Sequence, residues 1–203
     1  MIAKKPRMLT STFLSIMLII TVAVGCTFTG GRGSNNPDKL AGDFLRKIYE
    51  VDSHDRYENY LEALDEYKKQ LLDSSWNGRK AGVYSIGEEA GEEIIKEYTN
   101  IYAPLMTEKA FEDMITDTTH IFFDSLAYDN DFTSEAKVIN LAETKGSGEA
   151  TIYDYRVDLE IISDGEKEPL ELEGIIQLEK NKEGKYEVSY FTLDRRALYE
   201  RFR

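Results

Sequence analysis

The chain has 203 residues and a formal net charge of −13, with 41% hydrophobic and 11% aromatic residues. That length suits one domain, and the composition is too apolar for a disordered chain. The acidic balance repels nucleic-acid phosphates and anionic lipid headgroups, and is expected to keep the domain soluble and standing off a membrane.

Lys4, Lys5 and Arg7 open the chain without an acid, and an apolar stretch runs from Phe13 to Val24, broken by Ser15 and Thr21. A basic start, an apolar middle and a small-residue end is the order of a secretory signal peptide. The stretch is short for a stable span, and Gly25-Cys26-Thr27 ends it. The run Ala23-Val24-Gly25-Cys26 resembles the lipobox of bacterial lipoproteins, although that family more often has Leu where Ala23 stands. The resemblance implies diacylglycerol on the Cys26 sulfur, cleavage just before it, and an extracytoplasmic protein held on the cell membrane by lipid. Cys26 is the only cysteine, so no internal disulfide forms. Two acyl chains hold a protein on a bilayer where one is marginal, so the anchor needs no help from the domain. Losing residues 1–25, with their three basic side chains, leaves 178 residues and takes the charge from −13 to −16.

Residues 26–36 read as a lipidated cysteine and a flexible polar tether, and 37–203 as a single domain. Asn36, Pro37 and Asp38 form a helix start, and Leu40, Phe44, Leu45 and Ile48 share one face of a helix running to about Glu50. Asp52 or Ser53 can cap a second helix, with Tyr57, Tyr60, Leu61, Leu64, Tyr67 and Leu71 at helical intervals. The glycines and polar residues of Ser74 to Gly87 predict a loop. A third helix begins near Glu88, turns Ile94, Ile95, Tyr98 and Ile101 or Tyr102 inward, and stops at Pro104. Thr107 caps a short helix to about Ile115. The period then changes to alternation. Ile121 to Tyr128 and Lys137 to Glu143 predict strands. Tyr153, Tyr155, Val157, Leu159 and Ile161 alternate with acids and Arg156 in a long strand with one wet face. Asp164-Gly165 predicts a hairpin turn, Leu170 to Leu178 its return strand, and Tyr186, Val188 and Tyr190 the last strand. Asp194 caps a final helix carrying Ala197, Leu198 and Phe202.

Helices first and an antiparallel meander after them predict an α+β domain, with helices packed on a curved sheet of four to six strands. This order, with the run from Tyr98 to Thr107 around Pro104, resembles the nuclear transport factor 2-like fold, the cystatin-like cone. The resemblance covers about Asp38 to Arg203 and implies a cone with a pocket. Gly174, inside a strand pattern, fits a bend or bulge in such a sheet. Family enzymes place Asp or His in the cone, but no catalytic position of theirs maps onto a residue of this chain. Other members bind, dimerise or assemble, some in secretion and conjugation machinery, and fold alone does not choose among these.

His54 and His120 are the only histidines. His120 stands near Asp117 and Asp124, an arrangement that suits either an acid–base pair or a local hydrogen bond. Asp124, Tyr128, Asp129, Asn130 and Asp131 read as an acidic turn without the glycine or closing glutamate of an EF-hand loop. Tyr153 and Tyr155 suit sheet core or, with His120, the lining of a ligand pocket. Arg195, Arg196, Arg201 and Arg203 make a small basic end. Nucleophile-elbow, phosphate-loop and zinc-ligand spacings are missing from the sequence, and nothing in it calls for a cofactor. The sequence therefore points to a surface-tethered lipoprotein that binds an envelope protein or a small ligand without catalysis. The alternatives are a cone enzyme using His120 with a nearby Asp, and a structural subunit of an envelope assembly.

Overall fold

A computed structural model of the protein describes residues 32–76, 88–144 and 150–202. Helix α1 (Pro37–Tyr49) starts at its capping residue: the Asn36 side chain accepts from the Lys39 amide at 3.0 Å, with Pro37 in the first turn. Its inward stripe holds Leu40, Phe44, Leu45 and Ile48, and also Tyr49. Helix α2 (Asp55–Trp76) starts one to two residues later than predicted, because the His54 carbonyl receives the first amides, those of Tyr57 and Glu58. It also continues past Ser74 to Trp76, where a loop was expected; residues 77–87 of that loop lie outside the described residues. Helix α3 (Glu88–Tyr102) ends just before Pro104, and α4 (Glu108–Thr116) begins on Thr107, whose hydroxyl accepts from the Ala110 amide at 3.2 Å.

Residues 119–130 overturn the strand expected over Ile121 to Tyr128: they form α5 (Thr119–Asn130). Its buried positions are His120, Phe123, Asp124 and Ala127, spaced as one face of a helix. Two of those four are polar. The apolar residues alone therefore show no helical period, and His120 opens a helix rather than a strand. The expected acidic turn is the end of the same helix, with Asp124 turned inward and Asp129 and Asp131 in solvent.

Four strands follow: β1 (Thr133–Thr144), β2 (Thr151–Ser163), β3 (Glu166–Lys180) and β4 (Tyr186–Phe191). They pair antiparallel in chain order as an open meander. Asp164 and Gly165 both take positive φ, 52° and 79°, as a tight hairpin turn requires. Tyr153, Tyr155, Val157, Leu159 and Ile161 are all buried on one side of β2. The pairing of β4 skips Ser189, a bulge that reverses which residues face inward. Tyr190 consequently points outward, 53% exposed, and Phe191 packs edge-on against Phe44 at 4.9 Å. Gly174 makes no bulge, since the β2–β3 register runs through it unbroken. It pairs with Tyr155, and a Cβ there would lie 2.5 Å from the Tyr155 hydroxyl. The ring occupies the space that a side chain would fill.

Helix α1 packs against all four strands, and α5 joins it to α2 and α4. The domain is thus α+β, with the helices covering one face of a four-stranded sheet. Helix α6 (Arg195–Arg201) is capped by Asp194, packs on β3, and delivers Phe202 to stack on Phe132 at 4.6 Å. The free edge of β4 would expose unpaired amides and carbonyls. Val188 instead pairs with the segment after α3, and Tyr186 exchanges two hydrogen bonds with Ser34, at 2.8 and 3.0 Å. Gly33 donates to the Pro104 carbonyl at 3.0 Å. The chain therefore joins the fold by Gly33, earlier than the expected boundary at Pro37.

Candidate functional site

The most polar part of the interior lies where α2, α3 and α5 meet. Asp124 projects from α5 with only 5% of its side chain exposed, and Arg56 of α2 grips it with two guanidinium nitrogens, Nε at 2.6 Å and Nη2 on the other oxygen. The Tyr98 hydroxyl of α3 donates to the same carboxylate at 2.9 Å. Burial works against the Arg56 charge, but the Asp124 carboxylate overrides it and holds the guanidinium above its ordinary pKa. Burial, then the Asp124 charge, push the Tyr98 phenol far up, so it remains a donor. Three helices are tied through one carboxylate. Arg56 was not singled out in the sequence. The available signal is its place on the same stripe as Tyr60, Ala63 and Tyr67, where a charge needs a buried partner.

His120 lies one turn before Asp124 but does not bond to it. Its Nδ1 meets the Met114 carbonyl at 3.4 Å, its Nε2 has no partner among the described residues, and its ring sits edge-on to Tyr98 at 5.0 Å and to Tyr60 at 6.2 Å. Asp117 ends α4 in solvent. The sequence-predicted trio therefore does not converge: one member is ion-paired, one is enclosed by aromatic rings and one is exposed.

Burial lowers the His120 pKa from 6.5 to about 4, with the Met114 carbonyl opposing the shift. The folded state thus prefers neutral His120. Between pH 6.5 and 4 the unfolded chain binds a proton that the folded chain does not, so stability is full above 6.5 and falls as the pH drops toward 4. Chemical denaturation across that window is expected to show His120→Leu losing less stability than the wild type, by up to about 3 kcal/mol. Parallel curves for the two proteins would contradict the assignment.

Tyr153 and Tyr155 are sheet core, and their hydroxyls are engaged. Tyr153 donates to Asp38 at 2.5 Å. Tyr155 donates to the Thr192 carbonyl and, with its proton so placed, accepts from Tyr49 at 2.7 Å. Burial, then the neighbouring Tyr155, raise the Tyr49 pKa well above its ordinary value, and burial raises Tyr155 to about 12. These rings, with Phe44, Tyr98, Tyr102 and Phe123, fill the space between sheet and helices.

Concavities remain at the surface. One of about 570 Å³ lies at the β2–β3 hairpin end, between Phe132, Ser163, Glu166, Arg201 and Phe202. Another of about 680 Å³ crosses the sheet at Asp154, Arg156, Gly174, Ile175 and Asp194. The basic end is mostly tied down: Arg195 lies over Phe122 at 4.9 Å, Arg196 pairs with Glu200 at 2.9 Å, and Arg201 pairs with Glu168. Arg203 and Cys26 lie outside the described residues. Among the described residues, no three His, Cys, Asp or Glu side chains gather as a metal site, and no helix is long and apolar enough to cross a membrane. Comparison with protein-family models finds no match, and comparison with curated proteins finds none.

Proposed function

We propose that the protein is a lipid-anchored binding or assembly module, with a cone-type domain held on the outer surface of a bacterial membrane through Cys26. The observation that carries the non-catalytic part is the commitment of Asp124 to Arg56 and Tyr98. General acid–base chemistry needs a carboxylate or imidazole that can reach a substrate proton. Asp124 is spent on an ion pair, and His120 lies among rings and backbone. The cone reading is supported by α1 lying across all four strands. In this domain the cone is filled with aromatic side chains, which favours contact through outer surfaces over an enclosed ligand. The hairpin-end concavity, bordered by Glu166 and Arg201, is the preferred contact surface because it is at the opposite end of the sheet from the clasp at Gly33.

A photo-crosslinking residue at Glu166 tests this in the native host. The anchored protein is expected to give a discrete adduct that disappears in Cys26→Ala, which releases the domain, and persists in His120→Leu. An anchored protein with no adduct at Glu166 would count against the binding reading.

A further inference from the structure

The end of the domain that receives the tether is unlike the rest of this acidic protein. Ser34 is bridged to Tyr186, at the start of β4, and the β3–β4 hairpin beside it carries Lys180, Lys182 and Lys185. Arg32 precedes the clasp, and the space beside Gly33 is bounded by Lys185 and Glu187. Four bases stand here against three hairpin acids, of which one is ion-paired and two keep their charge. Glu183 pairs with Lys185 at 2.9 Å, Glu179 accepts from Gln177 at 2.8 Å, and buried Glu187 accepts from Asn181 at 2.9 Å. Lys180 lies over the Tyr186 ring at 5.1 Å, and Lys180 and Lys182 make no ion pair among the described residues. At the other end of the same strands stand Asp129, Asp131, Asp164, Glu166 and Glu168.

Resting on the reading of Cys26 as the lipid anchor, we infer that the β3–β4 hairpin with Arg32 is a membrane-facing surface that takes the anionic phospholipid headgroups around the anchor. Two arguments carry this. The first is reach. Only residues 27–31 separate Cys26 from Arg32, so even a fully extended connection spans about 20 Å. The fifteen residues of β3 run about 45–50 Å from this end to the other. The second is charge. A surface of anionic lipid attracts lysines within a Debye length and repels carboxylates, so the polarity of the domain directs the lysine end down and the acidic end out.

Acylation of lysines by a water-soluble active ester, read by mass spectrometry, tests the orientation on the lipidated protein. The vesicles are phosphatidylcholine alone or phosphatidylcholine mixed with phosphatidylglycerol. Lys180 and Lys182 are expected to react about fivefold more slowly on the mixed vesicles, as binding of a lysine at an anionic surface implies, and to recover at high salt. Lys167, at the far end of β3, should keep the same rate on both. In the double variant Lys180→Glu, Lys182→Glu, Lys185 should react equally on both vesicles. Equal rates for Lys180 and Lys182 on the two vesicles would overturn the inference. If cells do not lipidate the chain, the anchor reading falls. Coupling the lone Cys26 thiol to a maleimide phospholipid still measures the orientation, so the two failures are told apart.

Discussion

Asp124→Ala is expected to destabilise the domain by about 3–5 kcal/mol, the usual cost of removing one partner from a buried ion pair. The substitution leaves the Arg56 guanidinium without its counter-charge and the Tyr98 hydroxyl without its acceptor, both where water has little access. In a domain of this size each kcal/mol corresponds to about 2–4 °C, so thermal unfolding should fall by roughly 10 °C. Removing the whole set tests the cause. Asp124→Leu with Arg56→Met and Tyr98→Phe replaces the charges with apolar groups of similar volume and should recover most of the loss. The solvent-exposed pair Arg196–Glu200 is the contrast: Arg196→Ala should leave thermal unfolding unchanged. An Asp124→Ala protein of wild-type stability would contradict the view that this carboxylate ties three helices together.

Gly174→Ala is expected to cost about 2–4 kcal/mol, although alanine is the smallest possible side chain. Its Cβ would lie 2.5–2.7 Å from three atoms at the tip of the Tyr155 ring. A ring tip at the surface would swing away at little cost. This one is 2% exposed and held by Thr192 and Tyr49, so moving it breaks two buried hydrogen bonds. The cost should shrink once the ring is gone. In a double-mutant cycle, Gly174→Ala in a Tyr155→Ala background should lose much less, with a coupling of about 0.5–3 kcal/mol. Gly42, mid-helix in α1, has nothing within 4 Å of its missing Cβ, and Gly42→Ala should stabilise by about 0.5–1 kcal/mol. Urea denaturation of the four proteins decides the matter, and additive losses at Gly174 and Tyr155 would remove the explanation.

These two sites also mark where the sequence is and is not legible. Helix α1 is readable because cap, proline and apolar stripe agree. The β2–β3 hairpin is readable because strict alternation flanks an Asp-Gly turn. Helix α5 is not, because His120 and Asp124 occupy its inward face and a hydrophobicity pattern counts them as outward. The same two residues, read only for chemistry, suggest an acid–base pair. What decides the role of Asp124 is Arg56, nearly seventy positions away, and no local pattern links the two. Gly174 reads as a bend or bulge because a strand glycine has several uses, and the close approach of the Tyr155 ring from the neighbouring strand is visible only in the fold. The facing of Tyr190 is set by one bulge, which reverses the residues beyond it and has no mark in the sequence. Gly33 and Ser34 look like linker. Their structure comes from an edge strand that needs partners, a requirement that appears only once β4 is in place.

The most direct test of the central claim is the intact mass of the chain recovered from the membrane fraction of a bacterial host. The account predicts a chain beginning at Cys26 whose mass exceeds that of its amino acids by the acyl groups, and no such species from Cys26→Ala. An unmodified chain of all 203 residues in the cytosolic fraction would contradict it.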